Sequence, residues 1–233
     1  MVAVKRKYFL CLLRRGKFMG FGVRSPMRAK NGCIPCGIPI WGSLWNKTRG
    51  VHTGMIYVFL AEGFEEIEAL ATVDVLRRAE LPVQTVGVGG EWIRGSHGMR
   101  IEADIREDGM DLTKAQAVVL PGGMPGTRNL EASAAVQGAL DYMAENDRYI
   151  AAICAAPSIL GHRGMLAGKR ATCFPGFEKD CTGATLLDEP AVADGRIITG
   201  KGAGAAIDFA LTIVEQLKGR GVSDALRAAM QCR

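Results

Sequence analysis

The segment Ala151-Ala-Ile-Cys154-Ala-Ala-Pro157 places a thiol between small residues at the end of an apolar run. Pro157 stands where the first turn of a following helix would begin. A strand that runs into a tight turn and then a helix thrusts the turn residue outward, and small neighbours are needed because the turn is tight. In that setting the helix N-terminus stabilises a thiolate over a thiol. Without such help only about 3% of a thiol with a pKa near 8.5 is ionised at pH 7. A buried structural cysteine would satisfy the same pattern. Two other short segments carry polar chemistry. Glu62, Glu65, Glu66 and Glu68 crowd the turn after an opening apolar run, where carboxylates complement a helix dipole and are solvated. Pro121-Gly122-Gly123 follows another apolar run. Its glycines allow a tight turn, and they also let backbone N–H groups approach a substrate oxygen as an oxyanion hole requires.

The elements that must hold these residues follow from hydrophobic periodicity. From Met55 onward short β-type runs alternate with helical stretches, the pattern of an α/β fold. Ile56 to Leu60, Val83 to Val88, Ala117 to Leu120, Tyr149 to Ile153 and Arg196 to Thr199 read as strands. Ile67, Leu70, Ala71, Val75 and Ala79 recur at helical spacing, and Pro82 ends that helix. A second helix is predicted from about Leu130 to Glu145, and Glu91 to Ala103 has the glycine breaks of a hairpin. Ala206, Phe209, Ala210, Ile213, Val214 and Leu217 mark the clearest helix, with Gly219 and Gly221 separating it from a short C-terminal one. In an open parallel sheet, ligands bind beyond the carboxyl ends of the strands, where all three segments lie.

Charge divides the chain. The net charge is +5, yet residues 1–54 hold 11 basic residues and no acid, leaving 18 basic against 24 acidic residues in 55–233. A net-negative folded part removes the electrostatic case for nucleic-acid binding. The domain therefore spans 55–233, and 1–54 reads as a basic N-terminal extension without a fold of its own. A transit peptide and a tail for anionic surfaces are the functional alternatives. Its longest apolar-rich stretch, Tyr8 to Leu13, is far below the roughly 20 residues of a membrane-spanning helix and short of the about 7–15 of a signal-peptide core. Seven cysteines at irregular spacing fit free thiols in a reducing cytoplasm. Cys33-x-x-Cys36 lacks a second ligand pair, so no zinc site is expected. No Walker-type phosphate loop is present, and no cofactor is implied.

Ala61-Glu-Gly-Phe-Glu-Glu-Ile-Glu68, Leu120-Pro-Gly-Gly123, Ala151 to Pro157 and Ile207 to Val214 resemble, in order and spacing, the blocks of the ThiJ/PfpI superfamily. The likeness is best to the branch of the parkinsonism-associated deglycase and its bacterial relatives, and it runs from Met55 to about Val222. It implies a flavodoxin-like three-layer sandwich with a mostly parallel sheet and a nucleophile-elbow cysteine. By position it makes Cys154 the nucleophilic, oxidation-sensitive cysteine and Glu68 the protonated acid bonded to its thiolate. It also places backbone N–H groups of Gly122, Gly123 and Ala155 around a substrate oxygen. Glu65 and Glu66 are left as solvated acids. A homodimer paired through the first helix, no metal, no membrane and no specific nucleic acid are further implications. The peptidase-like branch has a His after the cysteine, where Ala155 stands here, so proteolysis is disfavoured. His162 lies eight residues past Cys154, roughly 12 Å along a helix, too far for a base. Phe174 replaces a His found in some relatives, and Ala203 a common Pro. Cys173 and Cys181 lack an elbow context and read as bystanders.

The activity expected from this resemblance is cofactor-independent processing of reactive carbonyls or glycated molecules, of glyoxalase or deglycase type. The competing expectation is a non-catalytic redox sensor or stress chaperone acting through oxidation of Cys154.

Overall fold

The computed structural model describes residues 54–232. The basic extension and the Cys33/Cys36 pair lie outside the described residues. Among those described, no helix is long and apolar enough to cross a membrane.

A sheet of seven strands forms the centre. In chain order its members are β1 (Met55–Leu60), β2 (Val83–Gly87), β5 (Ile105–Arg106), β6 (Ala115–Leu120), β7 (Tyr149–Ile153), β10 (Ala191–Asp194) and β11 (Ile197–Gly200). Two small accessory sheets pair β3 (Trp92–Arg94) with β4 (Arg100–Glu102) and β8 (Arg170–Ala171) with β9 (Thr185–Leu186). In space the central order is β10-β11-β7-β6-β1-β2-β5, parallel throughout except for the β10–β11 hairpin. Chain progression reverses between β1 and β6, so the loops leaving these strands diverge to opposite sides and open a crevice at their carboxyl ends.

Period-two alternation builds a core on each face of the sheet. Tyr57 and Phe59, Val118 and Leu120, and Ile150 and Ala152 point to one side. There they meet Val136 and Leu140 of α3 (Ala134–Glu145) and Ile159 and Leu160 of α4 (Pro157–His162). Ile56 and Val58, Ala117 and Val119, and Ala151 and Ile153 point to the other. They pack on Val73 and Leu76 of α1 (Glu66–Arg78) and on Phe209, Ile213 and Val214 of α5 (Ala206–Lys218). The last helix, α6 (Arg220–Ala229), adds Leu226 to this layer. Strands covered on both faces are apolar at most positions, which is why they read as near-continuous runs.

Two predicted boundaries are corrected. The single helix expected from about Leu130 is two helices, α2 (Gly126–Ala132) and α3, because Ser133 is extended and its hydroxyl accepts the Val136 N–H at 3.3 Å as an N-cap. Gly221 lies inside α6, and Gly219, at φ 86°, makes the break alone.

Candidate active site

Cys154 follows β7 directly and adopts φ 64°, a left-handed conformation that a non-glycine side chain rarely takes. Backbone bonds hold it there. Its N–H donates to the Gly200 carbonyl of β11 at 2.9 Å, and its own carbonyl accepts the Phe174 N–H at 2.9 Å. Helix α4 then begins at Pro157, whose missing N–H costs nothing at that position. The small residues flanking the thiol are explained by packing: Ala155 and Ala156 are buried. The sharp strand-to-helix turn expected from sequence is therefore present, with the sulfur half-buried at the carboxyl edge of the sheet.

Glu68 enters from α1. Glu65 caps that helix by accepting the Glu68 N–H at 2.7 Å, and the Glu65 N–H donates to the Gly122 carbonyl at 2.9 Å. The Gly122 N–H in turn donates to Glu68 Oε2 at 2.7 Å. These bonds fasten the loop after β6 to the start of α1 and leave Gly122 wedged between carboxyl and thiol. A Cβ on Gly122 would lie 2.7 Å from Cys154 Cβ, 2.8 Å from Glu68 Oε2 and 3.0 Å from the Ile153 carbonyl. A Cβ on Gly123, which has φ 90°, would lie 2.5 Å from the Glu65 nitrogen. Both glycines are thus required by close approach. Substituting Gly122→Ala is expected to lower stability by about 1–3 kcal/mol through forced overpacking and to separate Glu68 from Cys154; a urea titration beside a thiol-reactivity assay measures both.

The carboxyl is 1% exposed. Burial pushes its pKa up to about 7, against the opposing pull of the Cys154 contact and the Gly122 N–H. Its second oxygen, Oε1, is buried with no hydrogen-bond partner, and the Cys154 thiol is close enough to this carboxyl to influence its proton. Cys154 is pushed up to about 12, first by burial and then by the adjacent Glu68 charge, while the N–H groups of Ala155 and Gly123 act to lower it. The expected depression of the thiol by a helix dipole is therefore corrected. Helix α4 has only 6 residues, and its contribution is outweighed by desolvation and a neighbouring carboxylate. What the pair does instead is refuse a second anion: it loses one proton near neutrality and holds the other.

The positions named from sequence separate in space. Cys154, Glu68, Gly122, Gly123 and Ala155 converge. Gly122, however, has its N–H committed to Glu68, leaving the Gly123 and Ala155 N–H groups directed at the sulfur side. His162 is turned away, paired with Glu131 at 2.6 Å and Asp180 at 3.4 Å. Phe174 is exposed and reaches toward Gly202 beside a cleft of about 580 Å³ that Lys201, Ala203 and Asp208 also line.

Glu65 and Glu66 are not solvated, contrary to expectation. Both are buried. Glu66 accepts from the His97 N–H at 2.8 Å, His97 Nδ1 at 2.9 Å, the Ser96 hydroxyl at 3.3 Å and the Met99 N–H at 3.3 Å, clasping the β3–β4 turn. Gly95 makes room for it, since a Cβ there would meet the carboxyl at 2.3 Å. Burial alone would raise the Glu66 carboxyl, but the bonds from His97 and its neighbours outweigh it and hold the group below its ordinary range. Ligand atoms of Glu65, Glu66 and His97 lie within 4.8 Å of one another, and these hydrogen bonds already occupy Glu66 and one oxygen of Glu65. Glu66→Ala is expected to cost about 1–2 kcal/mol, since the turn donors lose a charged acceptor, and to speed amide hydrogen exchange at residues 96–99. Glutamate is not among the residues favoured at an N-cap, so the sequence does not mark Glu65 as the cap it proves to be. Nothing local to the sequence marks the Glu66 clasp or the roles of Gly200 and Phe174.

Comparison with known proteins places the chain in a family. The model of the DJ-1/PfpI family matches residues 55–216. The chain is 36% identical over 160 residues to the glutathione-independent glyoxalase DJR-1.2 of Caenorhabditis elegans, covering 68% of this chain and 85% of that one. To protein DJ-1 homolog B of Arabidopsis thaliana it is 35% identical over 170 residues, 72% of this chain but only 39% of the longer plant protein. The crystal structure of Drosophila melanogaster DJ-1beta superposes with a TM-score of 0.74 at 34% identity, covering 78% of this chain and 99% of the other.

Proposed function

Because the chain belongs to the DJ-1/PfpI family, and because Cys154 and Glu68 meet over Gly122 at the switch point of the sheet, we propose that it is a cofactor-independent, cysteine-dependent enzyme acting on reactive carbonyls. The observation that carries this reading is the shared-proton pair: a buried carboxyl raised to about 7 against a thiol that resists a second charge.

Once the pair has lost one proton the charge rests mainly on Glu68; the chemistry uses the minor form, reached when the carboxylate takes the thiol proton, in which Glu68 holds the proton and sulfur the charge. Sulfur attacks the aldehyde carbon of methylglyoxal, or of its early adduct on an amine or thiol, and the carbonyl π pair moves to oxygen. The N–H groups of Gly123 and Ala155 face the developing oxyanion, and Glu68 supplies its proton to give the hemithioacetal. As a carboxylate it then removes the proton on the former aldehyde carbon and returns one to the neighbouring carbon. The first carbon is thereby oxidised to a thioester and the second reduced to an alcohol. Water cleaves the thioester, releasing lactate and restoring the thiol, so no external oxidant or reductant is consumed. A small substrate suits a half-buried sulfur. The C. elegans relative, named a glutathione-independent glyoxalase, supports the choice of methylglyoxal. The same reading carries a homodimer paired through α1, on which Ile67 is 57% exposed.

The test is lactate formation from methylglyoxal by the full chain without added glutathione. Turnover that rises with pH through about 7, where the pair first ionises, supports the proposal. Absence of lactate, with Cys154 still oxidised by mild peroxide, would transfer the role of this site to redox sensing.

A further inference from the structure

Cys173 and Cys181, read from sequence as unconnected bystanders, are neighbours. Both are buried in the same core layer, and their thiols are in side-chain contact. The chain between them doubles back through three tight turns, with Phe177 N–H donating to Phe174, Asp180 N–H to Phe177 and Cys181 N–H to Glu178. Both ends of this strap are pinned by the parallel β8–β9 ladder and by the Leu187 N–H bond to Ala171. Gly161 of α4 admits the backbone that carries the second thiol: a Cβ there would lie 2.7 Å from Cys181 Cα and clash with the Asp180 carbonyl oxygen. The two sulfurs are held together by fold rather than by local sequence, while the residues between them are mostly exposed.

We infer that Cys173 and Cys181 form a second redox site, a dithiol that a hydroperoxide converts to a disulfide closing the 174–180 strap. The inference is independent of the activity proposed for Cys154, whose side chain packs with the layer on the opposite face of the sheet. The step balances with hydrogen peroxide as oxidant. The Cys173 thiolate attacks one peroxide oxygen, giving a sulfenic acid and hydroxide, which takes a proton to leave as water. Cys181 then attacks the sulfenic sulfur, the S–O bond breaks, and its proton leaves with the hydroxyl as a second water. The direction of attack has a physical basis. Cys173 is the more exposed of the two, 7% against 3%, and the contact with the Cys181 thiol holds it below the ordinary thiol range despite burial. The strap also bears the Phe174 N–H that holds the Cys154 carbonyl, so the disulfide would fasten a segment in contact with the first site.

Trypsin provides the assay, because it cuts after Arg170, Lys179 and Arg196 and so separates the two cysteines into peptides 171–179 and 180–196. The full chain is exposed to hydrogen peroxide, quenched in acid, alkylated in denaturant and digested without reductant. The expected product is the 171–179/180–196 pair as one disulfide-linked species, enriched at least roughly tenfold over the untreated chain and abolished by dithiothreitol. It should form equally in Cys154→Ala and be absent in Cys181→Ser, where Cys173 instead proceeds to sulfinic acid. Recovery of both peptides singly alkylated, at peroxide doses that fully oxidise Cys154, overturns the inference. So does a linked species that joins either peptide to 149–163, the fragment carrying Cys154.

Discussion

Replacing Cys154 by alanine in the full chain is expected to lower cofactor-free lactate formation from methylglyoxal by about 10³-fold or more, to the buffer rate. No other thiol among the described residues shares the Glu68 carboxyl, and the backbone N–H groups that would face the oxyanion have no nucleophile to serve. The fold should survive. Alanine keeps a Cβ at the same φ of 64°, so the backbone strain is unchanged, and only one half-buried sulfur is lost. A second readout separates loss of the nucleophile from general damage. The contact with Cys154 lowers the Glu68 pKa, so in Cys154→Ala the carboxyl should titrate above about 7, measurable by its infrared carbonyl band. A variant that retains lactate formation would remove Cys154 from the mechanism.

The second large effect belongs to Glu68. Glu68→Gln keeps an acceptor for the Gly122 N–H and approximates the shape of the protonated acid, but it cannot take up a proton. Turnover is expected to fall about 10²–10⁴-fold, the range for loss of a general acid–base group, with the rise of rate through about pH 7 abolished. Stability should move in the opposite sense at neutral pH. Burial raises the Glu68 pKa from 4.5 to about 7 on folding, so the folded state holds this proton more tightly than the unfolded one. The resulting stabilisation is fully present below about 4.5 and is lost as pH rises through about 7, a change of about 3 kcal/mol. Glu68→Gln lacks that slope. Urea midpoints for parent and variant across pH 4 to 8 should therefore diverge with rising pH, the variant becoming the more stable. Parallel curves would mean that Glu68 titrates as an ordinary carboxylate, and the shared-proton pair would fail with it.

The stability that the parent forgoes near neutral pH is a consequence of placing an ionisable group where its charge is poorly solvated. Such placement is common where a proton must be given and taken in one cycle. Here it is enforced by the bonds that tie Gly122 to α1, in a setting where the carboxyl is shut off from solvent and Oε1 is left without a hydrogen-bond partner.

Much of the scaffold was legible because its signals are local. Fully buried parallel strands are short apolar runs, helices α1 and α5 carry their spacing in side-chain chemistry, and Cys154 is marked by the small residues and proline that a tight strand-to-helix turn demands. Two adjacent glycines announced a close approach without naming what approached. What only tertiary structure decided depends on contacts between distant residues. Gly122 and Glu68 are 54 residues apart, and their bond withdraws Gly122 from substrate binding. The Cys154 thiol is raised rather than lowered because burial and a carboxylate from α1 outweigh a short helix, a balance no spacing encodes. Glu66 faces a hairpin turn beginning 30 residues later, so acids that looked solvated are buried. Cys173 and Cys181 meet because turns, a ladder and the bare face of Gly161 bring them together. The sequence by itself determined which elements form and where the cysteine of the strand-to-helix turn sits, since backbone preference and periodicity act over a few residues. The protonation state and partners of that cysteine were decided by the fold, since desolvation and electrostatics depend on everything packed around it.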